Sequence, residues 1–222
     1  MRNKEEQYNK IMSVAKVLFY DQGYKDTFLD QIAKECGITK PLISYYFSSK
    51  AALAASIAAE YANDIKNTIA FKIYRHYYHQ QRYDLRISTA IEIRMTRCLD
   101  LQDDAVYRFN YERFNDKFME IQNSPPSSVA KYRMHNRRYH LGLSENELQM
   151  IPLVASPGQF QIVKAYRQGI LDCSEEECLD SCVSLSFRMM HVPDDTISYI
   201  LKQSKDVIDE IGFELKPYFK VV

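Results

Sequence analysis

Only six glycines and seven prolines punctuate the 222 residues. A chain of many short strands draws heavily on both residues for its turns, so this scarcity argues for long helices. Periodicity agrees. From Asn9 to Tyr20 the apolar residues Ile11, Val14, Ala15, Leu18 and Phe19 recur at the spacing of one helical stripe. Gly23 is placed to end that helix, because glycine enters the left-handed conformation without a Cβ clash. Thr27 is then positioned to N-cap a second helix, with Asp30 at the capping-box position and Ile32, Ala33 and Cys36 inward. Gly37 ends it. Thr39 is positioned to cap a third helix of about two turns, with Pro41 in its first turn and Ile43, Tyr46 and Phe47 on its inner face. Ser48 and Ser49 are caps for a fourth, alanine-rich helix that starts near Lys50 and runs past Ile73.

Helical patterns continue over 85–99, 104–121, 127–140, 144–154 and 157–171, with the Pro125-Pro126-Ser-Ser stretch and Gly142 as the clearest breaks. Ser174 and Glu177 form a capping box for a helix over 174–190. Pro193 opens a last one over 193–211, with Ile197, Ile200, Leu201, Ser204, Val207, Ile208 and Ile211 on one face. The expected fold is all-α: a three-helix N-terminal domain over 1–50 and a larger helical domain over 51–222.

Charge narrows the function. The 29 basic and 29 acidic side chains cancel, which excludes coating of nucleic acid or anionic membrane by bulk attraction. Residues 1–50 nonetheless hold eight Lys/Arg against six Asp/Glu, hence +2, and the remainder is −2. No uncharged apolar run approaches the roughly 18 to 20 residues of a membrane span, and the N-terminus has no signal-peptide pattern, so a cytoplasmic protein with no membrane partner is expected. The five scattered cysteines suit reduced thiols. Cys173, Cys178 and Cys182 lie close in sequence, and a thiol switch or soft-metal site is conceivable there, but the surrounding carboxylates discourage a thiolate. His76 and His79 offer two metal ligands where a site needs three or four. No phosphate loop, nucleophile elbow or zinc motif is present, so neither enzyme nor cofactor is expected.

The second and third helices, joined by the Cys36-Gly37-Ile38 turn, have the layout of a helix-turn-helix, a candidate DNA reader. Between Ile38 and Lys50 the only charge before Lys50 itself is Lys40, and Ser44 and Tyr45 fall on the face away from Ile43 and Phe47. The run Ala15-Lys-Val-Leu-Phe19, Gly23-Tyr24, Thr27, Ile32-Ala33, Gly37-Ile38-Thr39-Lys40, Tyr46-Phe47-Ser-Ser-Lys50 and Leu53 resembles the N-terminal domain of the tetracycline-repressor (TetR) family of bacterial transcriptional regulators. The resemblance covers roughly residues 9 to 55 without a gap.

It implies a ligand-responsive dimeric regulator, a repressor that a small-molecule effector releases from a double-stranded DNA operator. Thr27 would sit against phosphate; Thr39, Lys40, Pro41, Leu42, Ser44 and Tyr45 would face the major groove; Tyr46 and Lys50 would hold the backbone. Three departures stand out. Ser44 replaces a usual tyrosine, Leu42 replaces a small or polar residue, and Asp30 would repel phosphate unless it caps locally. The resemblance further implies a homodimer through the last two helices, 174–190 and 193–211, although their stripes can equally close the domain's own core. An effector pocket is implied among the middle helices, where Tyr107, Tyr111, Phe114 and Phe118 are candidate lining residues and core packing is the competing reading. Lys131, Arg133, Arg137 and Arg138, with His135 and His140, form a basic cluster read as a solvated face or a greeting for an anionic effector.

Overall fold

A computed structural model of the chain describes residues 2–77, 84–116, 126–212 and 215–221. Its helices in chain order are α1 (Arg2–Gln22), α2 (Leu29–Cys36), α3 (Lys40–Tyr46), α4 (Lys50–Tyr77), α5 (Leu85–Gln102), α6 (Asp104–Phe114), α7 (Pro126–Tyr139), α8 (Glu145–Arg167), α9 (Glu175–Met189) and α10 (Asp194–Ile211). A two-residue antiparallel pair, β1 (Leu215–Lys216) with β2 (Lys220–Val221), follows them. The fold is all-α, as the turn-poor composition requires.

The chain forms two compact units. The first holds the chain up to Ile65 together with the described residues of 102–121 and 214–222, so α6 and the terminal hairpin join α1–α3 and the start of α4. Its core takes Ile11, Ala15 and Phe19 from α1, Ile32 and Cys36 from α2, Ile43 from α3 and Leu53, Ile57 and Ile65 from α4. These are the inward positions of the sequence stripe, with Val14 and Leu18 only half-buried. From the other end of the chain, Phe219 joins them, buried to 1% exposure against Tyr20, Tyr61 and Phe109.

The second unit holds the rest of α4, nearly all of α5, and α7 to α10. Its centre is α9, which packs against α8 and α10 and buries Cys178, Leu179, Cys182, Val183 and Phe187. The Ser174–Glu177 capping box forms as the sequence indicates, and a second one, Ser144–Glu147, opens α8. Here the structure corrects one expectation: 144–154 and 157–171 are a single helix, with Pro152 and Pro157 inside it. Each proline removes a backbone bond, but the buried stripe Leu148, Ile151, Ala155, Phe160 and Val163 runs through both without a phase shift, and its packing outweighs the loss.

The unit also buries polar groups, several of them in pairs. Thr89 Oγ1 lies 2.9 Å from His135 Nε2, and Gln159 donates to Ser186 Oγ at 2.9 Å. Arg97 and Asp100 form a buried ion pair at 3.0 Å. The basic cluster on α7 is opposed in part: Lys131 pairs with Glu92 at 3.0 Å, Arg133 pairs with Glu145, and His135 is buried. Acids 39 and 12 residues away neutralise what local sequence leaves unbalanced. Among the described residues no helix is long and apolar enough to cross a membrane.

Candidate nucleic-acid interface

The turn between α2 and α3 is built on Gly37. With φ 66° and ψ 33° it adopts the left-handed conformation, and the Ile38 N–H returns to the Ala33 carbonyl at 2.9 Å, closing the end of α2. Thr39 follows in extended conformation, and α3 starts at Lys40 with Pro41 in its first turn. Ile43 and Phe47 anchor α3 at 0% and 4% exposure, and Tyr8 of α1 stacks on Phe47 at 5.1 Å between ring centres. That anchoring fixes which face remains outside. Thr39, Lys40, Pro41, Leu42, Ser44 and Tyr45 are all exposed, Tyr45 at 67%, while Tyr46 is half-buried.

Three residues take other parts than those expected of them. Thr27 does not cap α2; the cap position is Phe28, and Thr27 is completely buried, its hydroxyl donating to the Gly23 carbonyl at 2.7 Å and lying 3.2 Å from that of Leu18. Its side chain is therefore closed to phosphate. Asp30 makes no capping box; its carboxylate accepts from Lys40 Nζ at 2.7 Å across the two helices. Lys50 points inward, donating to the carbonyls of Tyr24, Lys25 and Thr27 at 2.9, 3.3 and 3.0 Å, with its ammonium 4.4 Å from the Tyr24 ring centre. Three donors meet three acceptors, and burial lowers the Lys50 pKa. Lys50 thus clamps the α1–α2 loop.

Long-range contacts that no local pattern announces complete the unit. Lys4, near the start of α1, donates to the Tyr45 hydroxyl at 3.3 Å, which brings a second cation beside the exposed face of α3. Helix α6 grips the end of α1 by its backbone: Arg108 donates to the carbonyls of Tyr20 and Asp21 at 2.7 and 2.9 Å, and Glu112 accepts from the Lys25 N–H at 2.7 Å. Tyr20 donates to Asp103 at 2.8 Å and Tyr24 donates to Asp116. Burial, and then these carboxylates, push the Tyr20 hydroxyl up to about 12 and raise that of Tyr24, so both stay protonated donors.

The aromatic candidates for an effector lie on this same helix. Tyr107 and Tyr111 have ring centres 5.8 Å apart, and Phe114 is 38% exposed beneath the Arg113 guanidinium; Phe118 falls outside the described residues, as does His79. A surface cleft of about 520 Å³ in the first unit is lined by Tyr20, Asp103, Asp104 and Lys216, not by those rings. In the second unit Cys178 and Cys182 are fully buried, and burial pushes their thiols up to about 11 and about 12, which is unfavourable for nucleophilic or redox chemistry. Among the described residues no three His, Cys, Asp or Glu side chains are grouped to hold a metal ion.

Residues 11–57 match the family model described as bacterial regulatory proteins, tetR family. No curated relative matches the sequence. Among solved structures, the chain is similar to RolR without ligand, with a TM-score of 0.56 and 11% identity over 89% of this chain and 96% of that one. It is also similar to RolR in complex with resorcinol, with a TM-score of 0.57 and 14% identity over 90% and 95%. At such identity the likeness is one of fold, and it spans both units. The matched segment contains α2, the Gly37 turn, α3 and the clamp residue Lys50. The tetR-family likeness of the sequence is thus that of residues 11–57, and over the rest of the chain the likeness is one of fold.

Proposed function

We propose that this regulator is a dimeric, effector-responsive repressor, with the DNA-reading function in residues 1–50 and effector binding and dimerisation in 51–222. The observation that carries the DNA reading is the exposed face of α3, which presents Thr39, Lys40, Pro41, Leu42, Ser44 and Tyr45 from a helix pinned by Ile43 and Phe47. Lys40 suits a guanine edge or a phosphate, and Pro41 and Leu42 suit thymine methyls. One such head reads about one half-site, so two heads are needed at the spacing of successive major grooves.

Of the two helices in which the resemblance implies the dimer, α9 uses its apolar stripe inside its own unit. The exposed apolar residues Met150, Leu153 and Val154 on α8, at 55%, 42% and 48%, and Tyr199 on α10, at 52%, favour α8 and α10 as the interface helices. The effector is a small molecule; RolR is known in complex with the ligand resorcinol. Tyr107, Tyr111 and Phe114 are its proposed contacts because they project from the helix that grips the α1 backbone; a ligand packed on those rings would bear on the head at once. Since each head is only weakly basic, affinity depends on the correct spacing of both, and spacing is what an effector can change.

The test is a gel-shift titration against the region upstream of the chain's own gene and its neighbours. Lys40→Ala and Tyr45→Ala should each weaken binding by roughly ten-fold, on the order of one lost base or phosphate contact in each half-site. Unchanged affinity in both variants would remove α3 as the reading surface.

A further inference from the structure

We infer that Asp30 is a specificity-determining residue: by holding Lys40 in an ion pair in the free protein, it suppresses binding to DNA of arbitrary sequence. The inference rests on the reading of α3 as the DNA-facing helix. Lys40 is the one charged side chain on α3, and its ammonium lies 2.7 Å from the Asp30 carboxylate of α2, with both side chains more than half exposed. Lys50, the next cation along the chain, has its three donors engaged by backbone carbonyls. The recognition helix therefore meets a polyanion with its one ammonium already neutralised.

Transfer of Lys40 from Asp30 to a phosphate leaves the carboxylate unpaired beside a negatively charged backbone. On arbitrary DNA nothing offsets that change, because phosphate contacts there are the whole of the affinity. On the correct site Lys40 donates to a guanine edge with one N–H and keeps Asp30 with another, since an ammonium carries three donors, so the pair is not given up there. Asp30 thus removes affinity from the wrong sites more than from the right one, which is discrimination by an introduced repulsion. Because the pair is exposed, the exchange is open to DNA without any rearrangement of the two helices.

The experiment compares wild type, Asp30→Asn, Lys40→Ala and the double variant on two duplexes, one of scrambled sequence and one selected by the wild-type protein from a randomised pool, each across a salt series. For Asp30→Asn on the scrambled duplex, affinity should rise roughly five-fold per head near physiological salt, and the slope against log salt should steepen by about one per head. The selected duplex should gain less, so the ratio of the two affinities falls. In the double variant, set against Lys40→Ala, the steepening of the slope should vanish, because it is the released Lys40 that provides it, and only the relief of the carboxylate's own repulsion should remain. Equal slopes and affinities for wild type and Asp30→Asn would overturn the inference, as would a steepened slope that persists without Lys40. If wild type binds no duplex, DNA reading itself fails and the inference with it, a result seen in the wild-type arm alone.

Discussion

Phe219 packs its ring 4.9 Å from that of Phe109, so the last hairpin of the chain and α6 share one aromatic core with Phe19, Tyr20 and Tyr61. The hairpin is only two residues deep on each strand and has no independent stability; its attachment rests on this buried side chain and on Tyr218, whose ring lies 4.9 Å from that of Tyr20. Phe219→Ala should cost about 3 kcal/mol or more, the range for removal of a buried phenylalanine, with Phe219→Leu near half of that. Urea denaturation is the measurement. A loss below about 1 kcal/mol would mean that the hairpin merely rests on the unit.

Lys50 offers a direct choice between two roles. As the phosphate contact that the family pattern implies, its removal should flatten the salt dependence of DNA binding by about one charge per head. As the clamp described above, its removal frees the carbonyls of Tyr24, Lys25 and Thr27 and should lower stability by roughly 1.5 to 3 kcal/mol, the worth of hydrogen bonds to a charged group. We expect Lys50→Met to do the second and leave the salt slope unchanged. A flattened slope with intact stability would restore the phosphate role.

Much of the head was legible from residue spacing, because its determinants are local. The stripe from Ile11 to Phe19, the left-handed stop at Gly37 and the anchor pair Ile43 and Phe47 each act within a turn or two of helix. What escaped was long-range. Thr27 looks like a cap until the Gly23 and Leu18 carbonyls come within reach of its hydroxyl, and the Asp30–Lys40 pair exists only once two helices cross. Arg108 and Glu112 act on backbone groups more than 80 residues earlier in the chain. The single α8 is written in its stripe, which keeps its phase from Leu148 to Val163 through Pro152 and Pro157.

Gly23 reports on the grip of α6. Its φ of +90° disfavours any side chain, and an added Cβ would stand 2.7 Å from the Glu112 carboxylate and 3.1 Å from the Arg108 guanidinium nitrogen. These are the groups that hold Lys25, Tyr20 and Asp21. Gly23→Ala should therefore lower stability by about 1 to 2 kcal/mol through backbone strain and a displaced Glu112. It should also raise amide exchange at Lys25, whose N–H loses its acceptor. Unaltered exchange at Lys25 would show that α6 adjusts without releasing α1.

His135 makes the stability of the chain depend on pH. The ring is buried against Thr89, and burial first, then the nearby Lys131 charge, lowers its pKa to about 4 from an ordinary 6.5. Arg86 and Arg138 push the same way and Asp84 opposes them. The folded protein therefore excludes a proton that the unfolded chain accepts as pH falls below 6.5. Stability should be flat with respect to this residue above that value and decline toward pH 4, at up to about 1.4 kcal/mol per unit and roughly 3 kcal/mol in all. Carboxylates titrate at the lower end of that window, so the comparison is with His135→Gln, which keeps a hydrogen-bonding group for Thr89 and takes up no proton. Between pH 6.5 and 5 the wild type should lose stability and the variant should not; parallel curves would mean that the His135 ring accepts its proton inside the folded core.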